Sequence, residues 1–282
     1  MPETENPDAF LRALRKEIQR RELRWEAGET SVSHLDVTTS SMRLGLAFKK
    51  APPPRMTAFA IPSPPPPKWD WRSVRGQNWL TPVKDQGMCG SCVAFASVAV
   101  LEAQFGIDKG KPQPGGRFSE ASIFFCGGGT CATGWDIVPA MDFLRTDGAT
   151  DEKCFPYPSP PRDVPCSTRC SDWAARSQKV RGWTNFTTSS EAKAWISSKG
   201  PVVTGLRVFR DLMFYKGGVY QHIYGDLMGN HAIAVIGYDD QQGCWIIKNS
   251  WGTNWGEGGY FRIKYGDSNI FSAFPAFGMT VL

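Results

Sequence analysis

The chain has 282 residues, 41% hydrophobic and 21% charged, enough for one large core or two small ones and unlike a disordered polymer. After residue 68 basic side chains exceed acidic ones by only two, too few to mass a phosphate-binding face, so nucleic-acid binding is not expected. No apolar run approaches about 18 residues, which excludes a membrane-spanning helix, and the polar N-terminus shows no signal-peptide core.

Residues 7–27 read as an amphipathic helix. Asn6 can cap it, Pro7 suits its first position, and Phe10, Leu14 and Ile18 recur every four residues, with Leu11 and Trp25 on the same broad face. Gly28 reads as its stop. Residues 29–50 are polar and show no clear period. Eight of the 21 prolines then fall between Pro52 and Pro67, a run that joins neither a helix interior nor a sheet and favours an extended linker. This sets an expected boundary: residues 1–63 form an N-terminal segment with a Pro-rich linker over about 51–67, and residues 64–282 form a compact domain.

The stretch Cys92 to Phe105 is apolar on nearly all faces and reads as a buried central helix. Ile137–Leu144 and Ser190–Ser198 read as further helices, the last halted by Gly200-Pro201. Beyond them Pro201–Val208, Val219–His222, His231–Tyr238, Trp245–Lys248 and Tyr260–Lys264 read as strands between Gly, Asp and Asn breaks. Helices first and strands afterwards predict an α+β protein in two halves, with a site in the cleft between them.

Cysteines stand at 89, 92, 126, 131, 154, 166, 170 and 244. This density favours a secreted, periplasmic or lysosome-like oxidising compartment. If one thiol is a nucleophile, a second must also be unpaired; Cys244, opening the apolar run Cys244-Trp245-Ile246-Ile247, is the candidate, packed as a small hydrophobe. Cys92 stands at the start of the apolar helix, where the dipole and unpaired N–H groups favour a thiolate. The pair Cys89/Cys92 admits two readings: a dithiol that cycles with a disulfide, or a single nucleophile at Cys92 served by a distant base. A zinc site lacks the second half of its ligand set, so no metal and no cofactor are expected.

The rest of the chain separates these readings. His231 follows Cys92 by 139 residues and Asn249 follows His231 by 18. A C-G-S-C run with His and Asn about 130–150 residues downstream is the spacing of papain-type enzymes, with Asn249 slightly beyond it. Over residues 69–282 the chain resembles papain-family cysteine peptidases. The likeness rests on Trp69-Asp70-Trp71-Arg72, Pro82-Val83-Lys84-Asp85-Gln86-Gly87, Cys89-Gly90-Ser91-Cys92, Asn230-His231-Ala232 and Asn249-Ser250-Trp251-Gly252 through Gly256. The segments Cys154-Phe155-Pro156-Tyr157 and Tyr215 to His222 are similar to the cathepsin B branch.

The resemblance implies a papain-like fold and hydrolysis of peptide bonds through a thiolate and an acyl-enzyme. Cys92 would attack, His231 would hold and donate the proton, and Asn249 would orient the imidazole. Gln86 and the Cys92 N–H would form the oxyanion hole. Trp251 would shield the His–Asn pair. Gly134 would carry the substrate backbone, and Trp135, Gly229 and Phe274, beside Asn230, would line the pocket. It also implies a Cys89–Cys131 disulfide, with Cys126 joined to Cys166 or Cys170 and Cys154 to whichever remains. Val93 and Thr133 depart from the family pattern, which has an aromatic residue and a glycine there. Residues 158–170 contain no His, so the carboxylate clamp of cathepsin B is missing unless Arg162 or Arg169 replaces it, and an endopeptidase is expected. The N-terminal segment resembles a short pro-segment: its helix would dock on the body, residues 31–50 would cross the cleft near Cys92 running opposite to a substrate, and cleavage between Met56 and Lys68 would activate. Peptide or protein substrates, this segment as inhibitor and a monomeric chain complete the expectation; a thiol–disulfide oxidoreductase is the alternative.

Overall fold

The computed structural model of the chain describes residues 6–47, 64–112 and 117–282. In chain order these form α1 (Pro7–Arg20), β1 (Trp25–Ala27), α2 (Val37–Ser41), β2 (Lys68–Asp70), α3 (Cys92–Asp108), α4 (Glu120–Gly127), α5 (Ile137–Thr146), α6 (Trp173–Arg176), β3 (Val180–Phe186), α7 (Ser189–Ser198), β4 (Val202–Phe209), β5 (Tyr215–Tyr220), β6 (Leu227–Asp239), β7 (Cys244–Lys248), β8 (Tyr260–Lys264) and β9 (Ala276–Val281). The result is an α+β fold of two halves.

One half is built around α3. Its apolar residues are buried on every side, with Val93, Ala94, Val98, Val100 and Leu101 shielded from water, so propensity matters less here than the packing of α4 and α5 around it. The other half is a sheet in the order β1-β5-β8-β7-β6-β4-β9-β3, with β2 paired to β6. The long strand β6 joins the halves, because α3 packs against it while β4 and β7 pair with it.

Four sequence expectations need correction. The first helix stops at Arg20 rather than continuing to residue 27. Glu22 takes φ +52°, and the chain turns so that β1 pairs antiparallel with β5. Burial of Trp25 against Tyr215 and Tyr220, its ring 5.1 Å from Tyr220, favours the strand; the contact is non-local and invisible to periodicity. Gly28 therefore ends no helix; its N–H bonds Phe214. Likewise His231 does not open its strand, because β6 begins at Leu227 and Gly229 and Asn230 pair with Val208 and Arg207 of β4. His222 lies outside β5 and turns to the buried Asp211 carboxylate.

The N-terminal segment is folded onto the body. Asn6 caps α1 by accepting from the Asp8 N–H. The Phe10 ring lies 5.0 Å from both Phe214 and Tyr224, with the Arg210 guanidinium over its face at 4.2 Å, and Leu11 and Leu14 are buried beside it. Such aromatic clusters contribute about 0.5–1.5 kcal/mol per pair beyond area burial. Of the proline run, residues 52–63 lie outside the described residues. Pro66 and Pro67 accept bonds from the Tyr238 hydroxyl and Asp240 N–H, which tie the end of the proline run to β6 and the residue after it.

Candidate active site

Cys92 is the first residue of α3, and its Sγ is fully buried in the cleft between the halves. From the facing half, the Ala232 N–H points at Sγ at 3.4 Å. His231, on β6, lies beside it in sequence, and its Nε2 meets Asn249 Oδ1 at 2.8 Å. Asn249 follows directly on β7, so two adjacent strands of one sheet fix the separation of the two side chains. Trp251 is buried with its ring 4.9 Å from the imidazole, which keeps water from the His–Asn bond. Gln86 approaches from the loop before α3. Its Oε1 accepts from the Ser250 hydroxyl at 2.7 Å, and this fixes its Nε2 toward the cleft. The Gln86 carbonyl is held in turn by the Tyr157 hydroxyl.

The N-terminal segment occupies this cleft. Gln86 Nε2 donates to the Arg43 carbonyl at 3.0 Å, and Arg43 Nη1 bonds Asp85 at 2.8 Å. Residues 45–47 then lie parallel to Trp135: its N–H donates to the Gly45 carbonyl, and the Ala47 N–H donates to its carbonyl. Leu46 N–H reaches the Asn230 carbonyl, and Leu44 packs over Gly229. A Cβ on Gly45 would overlap the Gly90 carbonyl, and one on Gly134 would overlap Gly45, so both glycines are required by backbone contact. Leu46 and Phe274 meet over Gly205, where a Cβ would also clash.

The cover changes the electrostatics. Burial pushes the Cys92 thiol up to about 11, against the backbone N–H groups of Ala232 and Gly45, which favour thiolate. Burial likewise pushes His231 down to about 4, against its bond to Asn249. In the covered cleft burial therefore favours the neutral form of each group.

Beneath the site lies a buried charged layer. Lys84 Nζ bridges Glu120 and Glu152 at 2.8 and 2.7 Å, and Lys248 Nζ donates to the Thr81 carbonyl. Glu102 accepts from the Thr81 hydroxyl and the Phe118 N–H. Burial raises Glu120 to about 7 and lowers Lys248 to about 8.

The structure thus brings Cys92, His231, Asn249, Gln86, Trp251, Gly134, Trp135, Gly229, Asn230 and Phe274 around one cleft. Sequence reasoning gave no role to Gly205, Ser250, Tyr157 and Asp85; the last three stood in the family motifs, but the contacts of all four are made only by folding. Disulfides join Cys89 to Cys131, Cys126 to Cys166 and Cys154 to Cys170, and Cys92 and Cys244 are free and buried. Cys89 is thereby unavailable as a dithiol partner of Cys92. No helix among the described residues is long and apolar enough to cross a membrane.

Residues 65–273 match the family model for the papain family of cysteine proteases. The chain belongs to that family. This papain-family protease is 35% identical over 240 residues to the cathepsin B-like CP3 of Giardia intestinalis, covering 79% of this chain and 78% of that one. It is 37% identical over 215 residues to CP1 of the same organism, covering 72% and 69%. Its fold matches procathepsin B S9 of Trypanosoma congolense with a TM-score of 0.82 at 23% identity, over 97% of each chain. It also matches the proform of the ragweed pollen protease Amb a 11, with a TM-score of 0.78 at 25% identity over 100% and 90%. The protease is a cysteine peptidase in zymogen form, with its own N-terminal segment laid through the cleft. Nothing in these likenesses supports a thiol–disulfide oxidoreductase.

Proposed function

We propose that the protease is an endopeptidase in which Cys92, His231, Asn249 and Gln86 carry the reaction. The observation that supports this most is the Nε2–Oδ1 bond of His231 to Asn249, in a cleft that also holds Cys92 at the start of α3 and the Gln86 amide. With the cover removed, water returns and the thiol gives its proton to His231. The thiolate Sγ adds to the scissile carbonyl carbon, and the oxyanion is held by Gln86 Nε2 and the Cys92 N–H. Collapse breaks the C–N bond as His231 protonates the leaving amine, which leaves a thioester on Cys92. Water then adds to the thioester, giving its proton to His231, and the acid leaves as the thiol reforms.

Gly134 and Trp135 support the acyl half of the substrate, with Gly229, Asn230 and Phe274 around its side chain. Endopeptidase action fits residues 158–170, which carry no His; Arg169 there stacks on Trp173 at 3.4 Å. Residues 1–63 act as the removable inhibitor and 64–282 as the peptidase domain. Lys68 pairs in β2 and bonds Asp239, so cleavage is favoured before it, in the part of the Met56–Lys68 stretch outside the described residues.

The test is alkylation and turnover of the full chain after limited proteolysis. A peptidyl epoxide should label Cys92 alone, and Cys92→Ala should abolish hydrolysis of fluorogenic peptides while leaving the circular dichroism unchanged. Substantial activity in Cys92→Ala would refute the assignment.

A further inference from the structure

Arg43 is held at two points. Its carbonyl lies on Gln86 Nε2, while its guanidinium, only 9% exposed, donates to the Asp85 carboxylate. Asp85 remains 47% exposed even so, and its Oδ1 also accepts the Gly87 N–H at 2.8 Å, which fixes the carboxylate at the rim of the cleft. Residues 45–47 lie on the other side of Cys92, against Gly134, Trp135 and Asn230. Asp85 therefore faces the side of the thiol opposite to the one that holds the acyl half of a substrate. Next to it opens a cavity of about 360 Å³, lined by Asp85, Glu152, Lys84, Gly87, Tyr157 and Pro161. Lys84, which also lines this cavity, is bonded to Glu120 and Glu152 and so already has its own carboxylate partners.

We propose that Asp85 is a specificity-determining residue of the mature protease, selecting an Arg or Lys side chain at the first or second residue after the scissile bond. The inference rests on the catalytic reading of Cys92 given above. Removal of the N-terminal segment takes away the Arg43 guanidinium and leaves a fixed, half-exposed carboxylate beside the leaving half of the substrate. A basic side chain arriving there re-forms the same charge-assisted hydrogen bond. Arg43 thus occupies in the zymogen the position of the substrate's own cation, although its chain runs the other way.

The experiment uses full-length protein matured by limited proteolysis and internally quenched peptides that differ only at those two positions. With Arg against Leu, wild-type kcat/KM should favour Arg by about three- to fivefold, the range of a partly exposed ion pair, and the preference should shrink in 0.5 M salt. Asp85→Asn, which keeps an oxygen for the Gly87 N–H, should bring the Arg/Leu ratio to about one. Asp85→Lys should invert the preference toward Glu, which a merely structural role would not do, and Asp85→Glu should retain part of it. Should the Lys variant fail to fold, the salt dependence and the Asn and Glu variants still decide. An active wild-type enzyme indifferent to Arg, or a preference that survives Asp85→Asn, overturns the proposal and leaves the catalytic reading intact. Loss of every turnover overturns both.

Discussion

The carbonyl of Arg43 accepts a hydrogen bond from Gln86 Nε2 at 3.0 Å, so the amide proposed to stabilise the transition state is occupied by the chain's own backbone. Residues 45–47 then run parallel to Trp135. The N-terminal segment thus covers groups that are proposed to carry the reaction.

Gln86→Ala should lower kcat of the matured protease by about 10²–10³ while KM changes little, because the donor acts on charge that develops only in the transition state. Steady-state kinetics on one fluorogenic peptide measure this. A fall of less than about fivefold would show that Gln86 is not an oxyanion donor.

Gly45→Ala should loosen the cover. The added Cβ would overlap the Gly90 carbonyl, and backbone on both sides leaves no flexible side chain to yield. Overpacking of this kind costs about 1–3 kcal/mol, or roughly five- to hundredfold in the open population. The uncleaved variant, checked by intact mass, should hydrolyse peptide faster than uncleaved wild type by that factor. Equal rates would contradict the close approach at Gly45.

The reactivity of Cys92 should change its pH dependence on maturation. With the thiol pushed up to about 11, the covered form holds roughly one thiolate in 10⁵ at pH 6, rising tenfold per pH unit. Alkylation of the uncleaved chain should therefore be slow at pH 6 and climb steadily toward pH 10. The matured form, with water restored and His231 able to charge, should react at pH 6 and give a bell-shaped peptidase profile. Peptide mapping distinguishes Cys92 from Cys244, which burial also pushes up to about 11. Equal rates for both forms at pH 6 would show that the cover does not control ionisation.

The buried layer under the site should make stability pH-dependent. Burial raises Glu120 from its ordinary value of 4.5 to about 7, with Lys84 opposing and Glu102 reinforcing the shift. The folded state then binds a proton that the unfolded chain has released between those values. This contribution is fully present below about pH 4.5 and is lost as pH rises toward 7. Thermal unfolding of the full chain should give a Tm about 4 °C or more lower at pH 7 than at pH 5, and Glu120→Gln should flatten that slope. An unchanged slope in Glu120→Gln would place the titrating group elsewhere.

Much of this protein was legible in the sequence because its signals are local. A helix apolar on every face can only be buried, so α3 was readable from Cys92 onward. Short runs around Cys92, His231 and Asn249 carry fixed spacings that survive whatever loops lie between them. The Phe10/Leu14 stripe likewise marked an N-terminal helix that needs a partner surface. Tertiary structure alone decided where that helix ends, since Trp25 leaves the helical period for a pocket formed by Tyr215 and Tyr220, some 190 residues later. It also decided that Cys126 pairs with Cys166 and Cys154 with Cys170, because Cys166 and Cys170 stand only four residues apart and differ as partners only in which loops the fold brings together. The same holds for Arg43 on Asp85, Ser250 on Gln86 and Leu46 over Gly205. Each of these joins residues far apart in the chain, and closing such contacts depends on the packing of both halves, which no periodicity along the chain records.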